Sequence, residues 1–311
     1  MIQRHPTRGA KLLCLALLSL ALPDFASGQA KKQTQQPPIT TVEPVAPSTT
    51  PPVDPRELVR RVAEREFENE KIARSYTYVQ REETRKLDGD GKVKSTESET
   101  SEIMVLYDEP VERLIAKNDQ PLSSKDAAKV EEKIDKFMRD RKNETPEQKR
   151  ERLANEENDR EKARAYIAEV ADAYNFHLDG IENLNGRDTY IVRAEPRPDY
   201  HAKTRVAGAL LPNFRFRIWI DKADGQWVKI DAEAINNASY GLFLLRLHKG
   251  TRAHLEQTRV NDEVWLPVKI YVKLDARVVL FKSYDEEIDI SYKDYKKFRT
   301  EVKMGPAVST Q

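Results

Sequence analysis

The sequence predicts an α+β protein. Its centre is a strongly curved antiparallel sheet, an open half-barrel of about nine to eleven strands, covered by helices. Three observations lead there. Runs in which apolar and polar residues alternate recur from Tyr76 to Tyr292, the period of strands with one buried face. An amphipathic helix precedes them. Residues 123–174 switch to helical spacing with dense, interleaved charge, an inserted helical segment between strands.

The clearest strand pair lies in Phe214 to Ile235. Phe214, Phe216, Ile218 and Ile220 alternate with Arg215, Arg217 and Trp219. After Asp-Lys-Ala-Asp-Gly, Val228, Ile230, Ala232 and Ala234 alternate with Trp227, Lys229, Asp231 and Glu233. A short glycine-containing connection between two such runs reads as a β-hairpin. The expected register pairs Ile218 with Val228, sets Trp219 beside Trp227 on the other face, and puts Arg215 opposite Asp231.

At the front, residues 1–28 read as a cleavable signal peptide. Arg4, Arg8 and Lys11 precede the apolar run Leu12 to Leu22, and Ala26-Ser27-Gly28 supplies a cleavage site. The run is shorter than the roughly 20 residues needed to cross a bilayer, and no later stretch is apolar enough. Cys14 is the single cysteine of the 311 residues and lies near the start of that run, which excludes a lipoprotein cleavage site. The mature chain is therefore expected to be periplasmic or secreted, without a transmembrane segment, a disulfide or a thiolate metal site. Residues 29–54, rich in Pro, Thr and Gln, read as a disordered linker. A folded domain over 55–298 and a disordered tail over 299–311 complete the layout. Charge is dense, 34% of residues, but balanced at a formal net +1, which excludes a nucleic-acid binder.

Within the domain, Asp54-Pro55-Arg56-Glu57 starts a helix, capped by Asp54, whose apolar stripe is Leu58, Val59, Val62, Ala63 and Phe67. Strands follow from Tyr76 to Leu87, up to Tyr107 after the Asp88-Gly89-Asp90-Gly91 turn, and from Val111 to Lys117. Ser123 and Thr145 open two charged helices as capping boxes. Further strands are expected at Phe176 to Ile181, Asp188 to Glu195, Thr251 to Val260, Trp265 to Leu274, Arg277 to Asp285 and Ile288 to Tyr292. Asn236 to Gly250 reads as a loop or short helix.

This layout resembles the LolA/LolB-like superfamily of periplasmic lipoprotein carriers and outer-membrane lipoprotein-sorting proteins. The resemblance is carried by the signal peptide, the helix leading into Tyr76-Thr77-Tyr78-Val79, FRFRIWIDKADGQWVKIDAEA, and NDEVWLPVKIYVKL with Ile288-Asp289-Ile290-Ser291-Tyr292. It implies a non-enzymatic carrier that shelters the acyl chains of a lipid or lipidated protein between a concave sheet and helices, at about 0.8 kcal/mol per buried methylene. Trp219, Trp227, Phe243, Trp265 and Tyr271 are then the candidates for lining that cavity. The alternative is an envelope scaffold that binds a protein or cell-wall partner through the charged helices.

Chemistry finds little support. His177, His201, His248 and His254 have no recognised metal spacing, although His177 and Asp179 share a strand face. Ser239 lacks the first glycine of a nucleophile elbow. Alternation splits Asp285, Glu286, Glu287 and Asp289 across two faces, against a paired-carboxylate site. No metal, cofactor or catalytic residue is expected.

Overall fold

In a computed structural model the described residues are 53–107, 109–240, 245–278 and 282–298. The signal peptide, nearly all of the linker, Phe243 and the tail, all named from the sequence, lie outside them. Among the described residues the chain runs α1 (Pro55–Ala73), β1 (Tyr76–Leu87), β2 (Val93–Leu106), β3 (Glu109–Lys117), β4 (Gln120–Pro121), α2 (Ser124–Lys142) and α3 (Pro146–Ala173). Then come β5 (Tyr174–Leu184), β6 (Arg187–Pro196), α4 (Arg205–Leu210), a 3-10 turn (Leu211–Asn213), β7 (Phe214–Asp221) and β8 (Trp227–Ala234). The last strands are β9 (Ala238–Tyr240), β10 (Leu245–Leu247), β11 (Arg252–Val260), β12 (Val264–Val278) and β13 (Lys282–Lys297).

These strands form one antiparallel sheet of 13 strands in the order β4-β3-β2-β1-β13-β12-β11-β8-β7-β6-β5, with β10 beside both β12 and β9. The sheet does not close on itself, since β4 and β5 end the order. It has more strands than expected because β4, β9 and β10 are two or three residues long. Alternation cannot be seen over so few residues. β1 pairs with β13, Thr84 opposite Ile288, so the first and last strands meet mid-sheet. That pairing is the most non-local in the fold.

Helix starts follow the sequence. Asp54 Oδ1 accepts the Arg56 N–H at 2.9 Å, Ser123 accepts that of Asp126, and Thr145 and Gln148 exchange the two bonds of a capping box. Helix α4 is absent from the sequence expectations, because its six residues are too few for a period. Thr204 caps it through the Ala207 N–H at 3.1 Å. Two expected strands, Arg277 to Asp285 and Ile288 to Tyr292, are corrected. β12 runs on to Val278, and β13 is one strand through Asp285, Glu286 and Glu287. Those acids interrupt the apolar pattern without breaking the strand, because Glu287 pairs with Arg85 at 3.1 Å on β1. Asn236 to Gly250, expected as a loop or short helix, contains the short strands β9 and β10, paired Leu245 to Tyr240.

The β7–β8 register also differs from expectation. Ile218 faces Ile230, Arg215 faces Glu233, and Ile220 faces Trp227, with a β-bulge between. Val228 is the extra residue. A bulge turns one strand relative to its partner, so Trp227 lands on the core face and Trp219 stays on the other. The turn explains the slip: Asp221 Oδ1 accepts the N–H groups of Ala223 and Asp224, and Gly225 takes φ +64°. The Arg215–Glu233 pair at 2.6 Å replaces the expected Arg215–Asp231 pair.

One face of the sheet carries the core. Phe214, Ile220, Trp227, Ile230, Leu255, Ile270, Val272, Leu274 and Ile288 pack there against Leu58, Val59 and Val62 of α1 and Leu210 of α4. Each such side chain contributes roughly 1.5–3 kcal/mol by burial. The sheet edges are treated differently. Helix α2 binds β3 through Arg113 to Glu131 at 2.8 Å and through Arg141, which grips both oxygens of Glu109. β5 has β6 on one side and no strand on the other among the described residues, and is bent by a bulge before Gly180.

Candidate functional site

Of the five aromatics chosen from the sequence, the four described residues do not line one surface. Trp227 is 1% exposed in the main core, its indole N–H donating to Glu66 at 3.0 Å. Trp219 lies on the opposite face, donating to Glu182 at 2.5 Å with Lys229 4.1 Å above its ring. Trp265 donates to Asp224 at 3.1 Å and is covered by Arg187. Tyr271 stands between His254 on β11 and Asp289 on β13, with its hydroxyl pushed up to about 12 by burial and the nearby Glu287. Phe243 lies outside the described residues. Under α1, buried apolar side chains of the core face pack against Leu58, Val59 and Val62.

A cleft does open elsewhere, at the junction of α3 and β5. It measures about 270 Å³. Its floor is Ala173, Pro196, Ala202, Gly208, Leu211 and Pro212, with Arg197, Tyr200 and His201 at the wall. The sequence builds this shape through one buried acid. Glu169, 2% exposed, accepts the Tyr200 hydroxyl at 2.9 Å and the Lys203 N–H at 2.5 Å, which folds the 197–204 loop back onto α3. The Arg197 N–H donates to the Ala173 carbonyl at 2.9 Å. Beneath, the Tyr174 hydroxyl bonds the Leu211 carbonyl at 2.7 Å and fixes the 3-10 turn. Sequence reasoning missed the site because the loop and α4 have no period. The one legible signal was Pro196 to Pro198, read only as a link.

Cations gather beside the cleft, with Arg197 in its wall. Asp172 takes Arg56 at 2.7 Å, Lys203 at 3.4 Å and Arg60 at 3.9 Å, and Arg197 donates to its carbonyl at 3.3 Å. Against partial burial, the bonds from Arg56 and Lys203 hold the Asp172 carboxyl below the usual carboxylate range. Asp199 pairs with Arg197 at 2.7 Å. Four cations thus meet two solvent-reaching carboxylates beside an apolar floor. A larger depression of about 360 Å³ is only the polar surface of α3, walled by that helix alone.

Several other titratable groups are engaged with each other. On the outer face His254 lies between Asp231, 2.5 Å from Nδ1, and Glu256, 2.7 Å from Nε2. Burial disfavours the charged ring, but those two bonds outweigh it and push the imidazole up to about 9. Asp179, expected to share a face with His177, is held by Arg193 at 3.1 Å. Arg85 binds Glu83, Glu287 and Asp289 together. Among the described residues no three His, Asp or Glu side chains are placed to hold a metal, and no helix is long and apolar enough to cross a membrane.

No protein-family model and no curated protein matches the chain. Among solved structures it is similar to a putative outer membrane lipoprotein-sorting protein domain from Vibrio parahaemolyticus, at 12% identity and TM-score 0.30, covering 79% of this chain and 95% of that one. It is also similar to a DUF1329 family protein from Desulfovibrio piger, at 12% identity and TM-score 0.28, covering 81% and 96%. A LolA superfamily protein from Nitrosomonas europaea matches at 9% identity and TM-score 0.28, covering 80% and 94%. At these scores the likenesses carry no functional inference.

Proposed function

We propose that this protein is a non-enzymatic binding protein of the bacterial envelope, and that it holds an anionic amphiphile of the lipid class in the cleft at the α3–β5 junction. The observation that carries the reading is an apolar floor, Ala173, Leu211 and Pro212, with Arg197 in the cleft wall and Arg56, Arg60 and Lys203 gathered on the neighbouring Asp172. Such a site buries hydrocarbon and meets a carboxylate or phosphate head with charge-assisted hydrogen bonds. The core face of the sheet, the first place for acyl chains on the sequence reading, is occupied by α1. The pattern of residues 1–28 supports the envelope address. Mass spectrometry of organic extracts from mature protein, purified without detergent from its own envelope, tests the reading. A stoichiometric anionic lipid that disappears when Ala202→Trp fills the cleft supports it; a clean extract from folded wild type overturns it.

A second reading, an envelope scaffold working through its charged helices, is favoured by Leu153, left 45% exposed on α3 among charged neighbours. A photo-crosslinker at position 153 that captures one envelope protein would support it.

A further inference from the structure

Helix α1 meets the sheet through a carboxyl group that no cation reaches. Glu66 is 8% exposed, and its Oε2 accepts the indole N–H of Trp227. Its second neighbour is the side-chain amide of Gln226, itself 4% exposed. Gln226 Nε2 donates to the Arg65 carbonyl at 3.4 Å, while Gln226 Oε1 is buried without any donor.

None of the charged groups around this cluster forms an ion pair with Glu66 among the described residues. On α1, the Arg65 side chain lies over Gly225, and Glu70 repels a negative Glu66. At the β7–β8 turn, Asp221 and Asp224 are bound by Arg187. From β11, Arg259 pairs with Asp224, and Gln257 donates to the Trp227 carbonyl. No ion pair involves Glu66 among the described residues. A carboxylate here would be an uncompensated buried charge, which costs several kcal/mol. A neutral carboxylic acid removes that charge and still accepts the Trp227 indole N–H.

We propose that Glu66 keeps its proton in the folded protein and that the neutral acid lets α1 lie on the sheet: it accepts the Trp227 indole N–H without placing a buried charge beneath the helix. The electrostatics agree. Burial pushes the Glu66 carboxyl up to about 8, against the bonds from Trp227 and Gln226, which favour the charged form. The consequence is a pH-sensitive latch. Loss of the proton strands a charge under α1, the helix whose Leu58, Val59 and Val62 cover the core face of the sheet.

The sign follows from the folded value lying above the ordinary value of 4.5. Stabilisation is complete below about 4.5 and is lost as pH rises through about 8. Urea unfolding of wild type and Glu66→Gln between pH 5 and 6.5 isolates this group, because His254 titrates above that window. The ratio of the two folding constants, wild type over variant, should fall about tenfold per pH unit. A ratio that stays constant overturns the proposal. Should the variant fail to fold, the infrared spectrum of wild type decides alone. A buried protonated-carboxyl carbonyl band at pH 7 that fades by pH 9 supports the latch, and its absence at pH 7 overturns it.

Discussion

Asn69 satisfies both main-chain groups of Trp265. Its Nδ2 donates to the Trp265 carbonyl at 2.8 Å, and its Oδ1 accepts the Trp265 N–H at 2.7 Å. β13 pairs with β12 only from Lys269 onward, so Trp265 lies beyond the last β13 partner. One side chain of α1 stands in for the missing strand. Asn69→Leu should therefore leave a buried donor and acceptor unpaired and destabilise the protein by about 2–4 kcal/mol. Asn69→Asp, which keeps only the acceptor and sets an unpaired carboxylate against the Trp265 carbonyl, should cost as much or more at neutral pH. Urea midpoints of the three proteins measure both.

Glu169 sets the cleft by holding Tyr200 and Lys203. Glu169→Ala should free the loop and raise hydrogen exchange at residues 199–203, with lipid recovery falling in parallel. Tyr200→Phe removes one bond and leaves that to the Lys203 N–H, so it should cost about 1 kcal/mol and preserve binding. Equal losses from both variants would mean that Glu169 does not position the loop.

The His254 cluster predicts a second pH effect. Its imidazole is raised to about 9 from an ordinary value of 6.5. Its stabilisation is therefore whole below about 6.5 and declines as pH rises through about 9, worth ~1–3 kcal/mol after solvent screening. His254→Gln should flatten the thermal midpoint between pH 6.5 and 9. A midpoint that falls as steeply in the variant would assign the effect elsewhere.

Arg152 ties the two charged helices to the sheet. It reaches Glu144 at 2.8 Å, Glu156 at 2.9 Å and Glu109 of β3 at 3.0 Å, while Glu109 also holds Arg141. The ladder continues through Glu156, Arg160, Glu157 and Arg164, whose guanidinium lies 5.3 Å over Phe67 of α1. Arg152→Ala should destabilise by roughly 1 kcal/mol or slightly more, since the network is only partly exposed. The difference from wild type should shrink in high salt. A salt-independent difference would point to lost packing by the side-chain stem.

The last turns of α3 show how far sequence patterning reaches. Tyr166, Ile167, Val170 and Ala171 are a legible stripe, and Ile167 and Ala171 are buried as that stripe requires. Glu169, on the same turns, reads as one more surface acid, yet it is the residue that shapes the cleft. Its two donors, Tyr200 and Lys203, come from a loop some thirty residues later, and local periodicity carries no information about such a contact. Glu66 and Asn69 are the same case on α1, where a polar pair on an amphipathic helix binds the sheet through Trp227 and Trp265.

By itself the sequence determined the local chemistry: the helix caps at Asp54, Ser123 and Thr145, the long alternating strands, the open antiparallel sheet, and the helical stretch over 123–174. Each depends on neighbours within a few residues, which propensity and period express directly. The tertiary structure decided the rest. A single extra residue at Val228 moved Trp227 into the core and parted it from Trp219, and non-local pairing brought β1 against β13. Only folding made buried Glu66 and Glu169 the fasteners of α1 and of the cleft. Desolvation and partnering arise from what the rest of the chain packs around a side chain, and that is set by the fold as a whole.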